Sequence, residues 1–342
     1  MTDIRDYLKE LKTPIVIYGT GDGADRLIDD LNSVGVEISG VFASDGFVRK
    51  RTFRGFEVTD FNSMLERFPD MTVLMCFGSD RAEVRLNIDK ISSRVPLFFP
   101  EYPVYGDSIF NSAFYEKHRA ELDFVRSHLA DALSVKTFDN IIKFRLSGKT
   151  DYLFECESDD EPSFEVDKET VFLDFGAYNG DTAVRFAEEY PSYGEIIAVE
   201  PDKRNFRKLV ENTARLRDIR CINAAVGDRC GELSVDSKKG RGAHADENGK
   251  LLVQCITVDS LTGGENRKAV IKADVEGNEA AFIRGASRMI CEKRPQMRIA
   301  CYHRSEDLFS IPSAVLGLRA DYRVLLRHKS GVPSWNTDFF FV

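Results

Sequence analysis

The sequence predicts an α/β protein built from two domains, each with a parallel sheet. Strand and helix signals alternate along residues 14–100 and again from residue 170 to the end of the chain. In each region the first strand runs into a glycine-bearing turn, "IYGTGDGADR" in the first and "VFLDFGAYNG" in the second. Strands separated by helices form parallel sheets through right-handed crossovers. We therefore expect a small N-terminal Rossmann-like domain over 1–105, a helical connection over 106–169 and a second α/β domain over 170–342.

Length and composition agree with that division. The chain has 342 residues, of which 43% are hydrophobic and 30% are charged, so each half can bury its own core. The net charge of -9 argues against a nucleic-acid partner, because phosphate binding requires a basic surface. The seven cysteines include no Cys-x-x-Cys pair, which favours free thiols in a reducing compartment. The polar N-terminal segment is unlike a signal peptide, and no apolar run approaches the roughly 20 residues of a membrane span, so we expect a cytoplasmic protein without membrane insertion.

The first domain is predicted to contain about four short strands with helices between them. Apolar runs typical of buried strands are "PIVIYG", "VEISGVFA", "TVLMCFG" and "VPLFFP". Helical spacing of apolar residues predicts a helix over 22–34, and two more follow from "TDFNSMLERF" and "DRAEVRLNIDKIS". The result is a small Rossmann-like unit.

The connection between the domains has a different character. Residues 111–134 are amphipathic throughout and predict one long helix, and "SVKTFDNIIKFRLSG" predicts another. The acidic, turn-rich stretch "ECESDDEPSFEVDKE" then predicts a surface connection to the second domain.

The second domain begins with the same alternation of strands and helices, which is later interrupted by strands with no helix between them. Strands "TVFLDFG" and "EIIAVEP" are followed by helices over 181–190 and 202–216, and "IRCINAAVG" is a third strand. "GELSVDS" and "KLLVQCITVDSL" predict strands that flank a polar loop. "KAVIKADVEG" and "QMRIACYH" are each followed by a helix, the first over about 278–290. The final runs "YRVLLRH" and "TDFFFV" lie too close for a crossover helix, so they predict an antiparallel hairpin at the end of the sheet.

The turn after "VFLDF" is placed where open α/β sheets bind ligands, at the carboxyl end of a strand. Gly176 permits a positive φ or a close backbone approach, and Asp181 can cap the next helix. The spacing of Gly176 and Gly180 is Gly-x-x-x-Gly, which is neither the dinucleotide pattern nor a P-loop. Taken alone, the turn is equally compatible with a strand-to-helix connection that binds nothing.

The next two strands favour a nucleoside. Glu200 ends the second strand, 24 residues after Gly176, where a carboxylate can accept both ribose hydroxyls. An ordinary exposed glutamate is the alternative. The third strand ends in "NAAVGD", whose small residues would admit an adenine ring. A nucleoside without a pyrophosphate suits a loop without the dinucleotide pattern, which indicates S-adenosylmethionine.

The order of these motifs resembles the FkbM family of S-adenosylmethionine-dependent methyltransferases. The resemblance covers roughly 170–342 and rests on "LDFGAYNGDT", "AVEPDKRNFRKLVEN", "NAAVGDRCGEL", "ITVDSL", "VIKADVEGNEAAFIRGA", "RPQMRIACYH" and "YRVLLRH". It implies a class I methyltransferase sheet and usually O-methylation of a hydroxyl, often on a sugar or another secondary metabolite. Phe175 departs from the valine or isoleucine of many relatives but is still hydrophobic.

The resemblance also implies roles for individual residues. Asp174, Gly176 and Gly180 would line the methionine end of the cofactor, and Glu200 would hold the ribose. Ala225 and Asp228 would lie near the adenine. The predicted cofactor-binding set is completed by Ala177 and Pro201.

Candidate catalytic side chains surround the end of the fourth strand. Methyl transfer requires in-line alignment of donor and acceptor, and removal of the hydroxyl proton. The candidates for the base are Asp274, Glu276 and His303. The structural alternatives are a strand-capping role for His303 and a helix-dipole role for Glu279. His328 has a weaker case.

Two further features concern a metal ion and a substrate lid. Asp274 and Glu276 offer oxygen ligands for a hard cation, but no third ligand occurs at a diagnostic spacing, so we expect no metal. In the polar loop, Arg241, Gly242 and His244 predict either a substrate lid or a solvated surface segment.

The first glycine loop matches the dinucleotide pattern more closely than the second. Gly19, Gly21 and Ala24 form Gly-x-Gly-x-x-Ala between a strand and a helix, and Asp45 follows Gly19 by 26 residues as a candidate ribose acid. The domain is short, however, and the Tyr-x-x-x-Lys pattern of dehydrogenases does not follow. Either a second site for a nucleotide or nucleotide-sugar, or a scaffold or oligomer contact, fits these residues.

The sequence thus predicts an S-adenosylmethionine-dependent O-methyltransferase that acts on a hydroxyl of a sugar, glycan precursor or related metabolite. The rival interpretations are an NAD(P)-type oxidoreductase that uses the first glycine loop and a non-catalytic nucleotide-binding module. The expected partner is a small-molecule or glycan acceptor, which the sequence does not name. Homo-oligomerisation stays open.

Overall fold

The structure, a computed structural model, describes residues 2–48, 52–236, 244–245, 251–261 and 267–342. Arg241 and Gly242 of the predicted lid lie outside these residues, and of His244 only the backbone is described. The fold is α/β, as predicted.

The N-terminal sheet is larger than predicted. In the described part of residues 1–105, six strands lie in the order β3-β4-β2-β1-β5-β6, and every neighbouring pair except β3–β4 is parallel. The elements are α1 (Ile4–Glu10), β1 (Ile15–Tyr18), α2 (Asp22–Ser33), β2 (Gly40–Phe42), β3 (Thr52–Phe53), β4 (Phe56–Thr59), α3 (Phe61–Arg67), β5 (Thr72–Met75), α4 (Ala82–Ser92) and β6 (Leu97–Phe98). The four predicted strands are β1, β2, β5 and β6. The additional hairpin turns at Arg54 and Gly55, which both have positive φ, as a two-residue hairpin turn requires.

The helical connection contains α5 (Ser112–Lys117), α6 (Arg119–His128), α7 (Ala132–Ser147) and α8 (Asp151–Phe154). The prediction of one long helix over 111–134 is therefore wrong. The helix is interrupted at His118, and α6 ends at Leu129, whose backbone is extended. Asp131 caps α7 instead of continuing α6, because its side chain accepts a hydrogen bond from the Ser134 amide at 2.7 Å.

The second domain contains a seven-stranded sheet among its described residues, in the order β16-β17-β15-β14-β7-β8-β9. Its first elements are β7 (Val171–Phe175), α9 (Asp181–Glu189), β8 (Glu195–Val199), α10 (Lys203–Thr213) and β9 (Ile219–Ile222). A smaller sheet follows, with β10 (Ala225–Val226), β11 (Gly231–Asp236), β12 (His244–Ala245) and β13 (Leu251–Ile256). The remaining elements are α11 (Val258–Leu261), β14 (Ala269–Ala273), α12 (Glu279–Gly285), α13 (Ser287–Lys293), β15 (Gln296–Ala300), α14 (Asp307–Leu318), β16 (Val324–His328) and β17 (Thr337–Phe341).

The predicted C-terminal hairpin is confirmed. β17 is antiparallel to both β15 and β16, whereas β14, β7, β8 and β9 are parallel to their neighbours. Every residue of β7, β16 and β17 is buried, which is why these strands appear in the sequence as continuous apolar runs. The helix predicted over 278–290 is divided into α12 and α13 at Ala286.

The two sheets pack into one body through the helical connection. One cluster of buried side chains runs from Tyr18 and Val73 in the first sheet, through Phe138 and Phe144 of α7, to Phe339 in the second sheet. The loop after β5 also pairs with the loop between β16 and β17, through an antiparallel bridge between Ser79 and Val332. Of the helices that the structure describes, none has the length and apolar character needed to cross a bilayer.

Candidate active site

A cleft of about 1050 Å³ lies at the carboxyl ends of β7, β8, β14 and β15. This is the edge at which open α/β sheets bind ligands. The predicted residues Gly176, Glu200, Pro201, Ala225, Asp274 and Glu276 all line it. Residues from two predicted groups, the cofactor-binding and the catalytic candidates, are therefore neighbours in one cavity.

The turn after β7 adopts a geometry that requires glycine. Gly176 has a φ of +75°, and a Cβ atom there would collide with the carbonyl oxygen of Asp274. The amides of Gly176 and Ala177 donate to the carbonyl of Val199 at 3.0 and 3.1 Å. Gly180, with a φ of +86°, packs against α10, where a Cβ would lie 2.7 Å from Thr213 Cγ2. Gly176 thus faces the cleft, while Ala177 and Gly180 shape the turn from behind.

Glu200 is held as a buried hydrogen-bond acceptor. Its side chain is 5% exposed, and its two carboxylate oxygens accept the amides of Tyr178 at 2.9 Å and Asp202 at 2.8 Å. Burial raises the pKa of Glu200 to about 7, although both amides act to lower it. Each carboxylate oxygen has two lone pairs, so each can accept one more hydrogen bond from a ligand.

Asp174 supports the same turn from inside the protein. It is fully buried, and Lys272 Nζ lies 3.3 Å from its Oδ1 and 2.8 Å from the carbonyl oxygen of Gly176. Burial raises the pKa of Asp174 against the effect of Lys272. Lys272 lines the cleft and Asp174 does not. Asp174 therefore influences the cleft through its ion pair with the Lys272 ammonium group.

The region beside β10 supplies the remaining wall. Ala225 and Val226 line the cleft, and Asn278 donates to the carbonyl of Val226 at 2.6 Å. Asp228 does not line the cleft, because its carboxylate binds the guanidinium of Arg284 at 3.0 Å.

His303 lies behind the acidic side chains of the cleft. Its Nε2 is 3.2 Å from Asp274 Oδ1 and 3.6 Å from Glu276 Oε2, and its Nδ1 is 2.8 Å from Glu279 Oε1. His303 and Glu279 are each 1% exposed. Because both ring nitrogens face carboxylates, the geometry favours an imidazolium that donates on both sides.

The electrostatics follow from this arrangement. Burial acts to lower the pKa of His303, but Glu279 and Asp274 outweigh it and the pKa is raised well above its usual value. Burial acts to raise the pKa of Asp274, but His303 outweighs it and the pKa is lowered. For Glu276 burial dominates, and the pKa is raised. One buried histidine therefore keeps Asp274 ionised, while Glu276 holds its proton more tightly than an ordinary glutamate.

The ligand atoms of Asp274, Glu279 and His303 lie within 4.8 Å of one another, which is the spacing of a metal site. A metal would require a neutral ring nitrogen. The carboxylates on opposite sides of His303 instead favour its charged form, so the same geometry fits an ion-paired cluster.

Comparisons with known proteins show which family part of this region resembles. Residues 174–324 match the family model of the methyltransferase FkbM domain. The match covers less than half of the chain and shows that this region is similar to that family. A comparison with curated proteins gives no match.

Solved structures show how far the fold is shared. The methyltransferase FkbM of Methylobacillus flagellatus KT superposes with a TM-score of 0.76 at 19% identity, over 99% of this chain and 93% of that one. The fibrillarin of Aeropyrum pernix, solved with bound S-adenosyl-L-methionine, reaches 0.35 at 15% identity over 53% of this chain and 70% of that one. The precorrin-6y C5,15-methyltransferase of Geobacter metallireducens GS-15 reaches 0.32 at 12% identity over 52% and 80%. The first match extends the common fold beyond the FkbM domain to the N-terminal sheet.

Three residues in or beside the cleft were not predicted from the sequence. Tyr302 donates to Asp274 Oδ2 at 3.1 Å, and Tyr105, from the connection before α5, donates to Glu276 Oε2 at 2.8 Å. Asp80 enters the cleft from the N-terminal domain. Tyr302 directly precedes His303, so its position at a strand end was a usable signal. Tyr105 and Asp80 carry no local signal, because only tertiary folding brings them to the FkbM domain.

His328, the weaker catalytic candidate, is fully buried outside the cleft. Its Nδ1 lies 2.9 Å from Thr337 Oγ1, and burial lowers its pKa to about 4. It is a neutral hydrogen-bonding residue of the C-terminal hairpin.

Protein atoms pack closely against two glycines of the first glycine loop. A Cβ at Gly19 would lie 2.7 Å from the ring of Phe77 and 2.8 Å from Cys76 Sγ, and one at Gly23 would collide with the Cys76 carbonyl oxygen. Around Gly21 a Cβ would meet nothing within 4 Å. Asp45 begins a single turn of 3-10 helix, and its side chain is outside the described part of the structure. Close packing of α2 on β5 therefore accounts for two of the glycines.

Proposed function

We propose that the chain is an S-adenosylmethionine-dependent methyltransferase that methylates a hydroxyl of a sugar, glycan precursor or related metabolite. One observation carries the proposal. Within a single cleft, the strand ends that carry the glycine turn and the buried Glu200 adjoin the strand end that carries Asp274 and Glu276. The first part suits a nucleoside with a short polar tail, and the second suits a hydroxyl that must lose a proton.

The residues present fit S-adenosylmethionine. Gly176 lets the turn lie directly against the end of β14 and line the cleft, and the two free lone pairs of Glu200 match two ribose hydroxyls. Ala225 and Val226 offer an apolar wall to the adenine. When bound, the cofactor supplies a methyl group on a positively charged sulfur.

The acceptor end provides orientation and a proton acceptor. The acceptor oxygen would take the methyl group that the cofactor supplies, the leaving sulfur would keep the bonding electrons, and a carboxylate of the cleft would accept the hydroxyl proton. Glu276 is the better base, because its pKa is raised towards the working pH, whereas Asp274 is held ionised by His303. Asp274 then accepts a hydrogen bond and orients the hydroxyl, and His303 fixes both carboxylates.

Calorimetry with S-adenosylhomocysteine tests the cofactor half of the proposal. We expect binding by the wild-type protein and a loss of about tenfold or more in Glu200→Gln, since hydrogen bonds to a charged carboxylate are lost. Glu211→Gln, on the exposed face of α10, is the matched control and should bind normally. Absence of binding by the wild-type protein would refute the proposal.

Methyl transfer to a panel of sugars and sugar nucleotides tests the catalytic half. Glu276→Gln should lower kcat by about 10²- to 10⁴-fold, the usual contribution of a general base, while S-adenosylhomocysteine still binds. A protein that binds the cofactor but methylates none of the panel would support the non-catalytic alternative.

A further inference from the structure

A second, smaller cavity lies where the N-terminal domain meets the catalytic end of the cleft. We call it the junction cavity; its volume is about 280 Å³. It shares Asp80, Glu276, Tyr302 and Asn336 with the cleft, so the two spaces are adjacent. No sequence motif pointed to it, and the proposed function does not explain it.

The junction cavity is built from both domains. The loop after β5 supplies Gly78, Ser79 and Asp80, and the loop between β16 and β17 supplies Val332 and Trp335. The amides of Ser79 and Val332 each donate to the other residue's carbonyl, at 2.7 and 3.0 Å. Gly78 has no room for a Cβ, because the indole ring of Trp335 lies directly against it. These contacts fix the position of both loops.

The chemistry of the lining is divided. Asp80 and Glu276 offer carboxylates, and Asn336 offers an amide, all of which bind hydroxyl groups. Trp335, Val332 and Pro333 add a flat, apolar surface. The described lining residues include two carboxylates and one histidine but no lysine or arginine, so the cavity disfavours an anion such as phosphate.

We propose that the junction cavity seats the methyl acceptor, and that the acceptor presents there an uncharged, polyhydroxylated ring. Such a ring has one apolar face for Trp335 and equatorial hydroxyls for Asp80 and Glu276. The N-terminal domain is then a specificity element, because Asp80 contacts the acceptor without taking part in the chemistry. This inference rests on the proposed function.

Trp335 gives a direct assay, because it is the single tryptophan of the chain. With S-adenosylhomocysteine present, its fluorescence is titrated with neutral methyl glycosides of glucose, mannose, galactose and rhamnose, and with myo-inositol. Inorganic phosphate, glucose 1-phosphate and ethanolamine are the charged probes. We expect a saturable change with at least one neutral ring below about 50 mM, the range of weak single-site binding.

Two variants assign the response to the cavity. Asp80→Asn should weaken binding of the neutral ring by about tenfold, because a hydrogen bond to a charged carboxylate is lost. The affinity for S-adenosylhomocysteine should not change. Asp70→Asn, at the exposed amino end of β5, is the matched control and should change neither.

Other outcomes overturn the inference. These are a fluorescence response confined to the charged probes, no response to any neutral ring, or equal binding in the wild type and Asp80→Asn. Calorimetry on the same samples separates this from failure of the proposed function. If S-adenosylhomocysteine binds and no neutral ring does, only the junction-cavity inference fails.

Discussion

The buried carboxylate of Glu200 makes cofactor affinity depend on pH. Burial raises its pKa from about 4.5 to about 7, so without ligand a large part of the protein carries a protonated Glu200 near neutrality. Only the carboxylate form can accept both ribose hydroxyls while it also accepts the amides of Tyr178 and Asp202. Binding must therefore remove a proton below the folded pKa, and affinity falls as the pH falls.

The size of the effect follows from the ionised fraction. With a pKa of about 7, roughly nine tenths of Glu200 is ionised at pH 8 and roughly one tenth at pH 6. The dissociation constant for S-adenosylhomocysteine should therefore rise about tenfold between these values, which corresponds to about 1.4 kcal/mol. Calorimetry at several pH values in buffers of different ionisation enthalpy measures both the affinity and the proton release.

A variant isolates the contribution of this carboxylate. Glu200→Gln cannot ionise, so its weaker binding should be nearly independent of pH over the same interval, whereas Glu211→Gln should follow the wild type. The reasoning is refuted if the wild-type affinity is constant between pH 8 and pH 6. It is equally refuted if Glu200→Gln retains the wild-type slope.

Three further predictions concern the turn and the acidic cluster. Gly176→Ala should cost more than about 2 kcal/mol of unfolding free energy and abolish S-adenosylhomocysteine binding, whereas Gly21→Ala, in open space, should change stability by less than about 0.5 kcal/mol in urea denaturation. Tyr105→Phe removes a hydrogen bond that lowers the pKa of Glu276, so the acid limb of the methyl-transfer pH profile should move to higher pH; an unmoved limb contradicts this. Folding raises the pKa of His303, so the protonated ring stabilises the fold. This stabilisation is fully present below about pH 6.5 and is lost as the pH rises through the folded pKa. His303→Gln should thus cost about 3–5 kcal/mol near neutral pH and remove that alkaline decline; equal unfolding curves for the two proteins would count against it.

The central strands were predictable because burial on both faces leaves a continuous apolar run. All five residues of "VFLDF" are buried, including Asp174, whose presence in the run marks the functional strand. The hairpin of β3 and β4 was not predicted, since its strands are two and four residues long and largely polar or half-buried. Edge strands of this kind have no hydrophobic pattern to recognise.

Helix boundaries failed for a related reason. The apolar spacing over 111–134 continues through His118 and Asp131, so periodicity alone predicts one helix. Asp131 instead caps α7 and also binds Arg327 at 2.7 Å, a residue 196 positions away. The break is therefore decided by tertiary contacts with β16, which the local pattern does not contain.

Some residues of the candidate site could be predicted from the sequence, and others could not. Gly176, Glu200 and Asp274 each follow directly from a strand end, and the parallel order of the sheet brings these ends together. Asp80 reaches the cleft, and Tyr105 reaches Glu276, only because the first domain packs against the second. The contact between Tyr105 and Glu276 joins residues 171 positions apart.

The two glycine loops show why a motif identifies a backbone shape before it identifies a ligand. Both loops bring a helix close to a strand end, and both use glycine where a Cβ would collide with a carbonyl oxygen, of Cys76 for Gly23 and of Asp274 for Gly176. In the first loop the ring of Phe77 packs on Gly19 and against Tyr18 at 4.9 Å, so protein side chains occupy the space beside the turn. In the second, the space beside Gly176 opens into the cleft and ends at the buried Glu200. The closer match to the dinucleotide pattern is thus a loop whose glycines Gly19 and Gly23 are required by packing, because the pattern constrains the backbone while the neighbouring strand end decides what lies beside it.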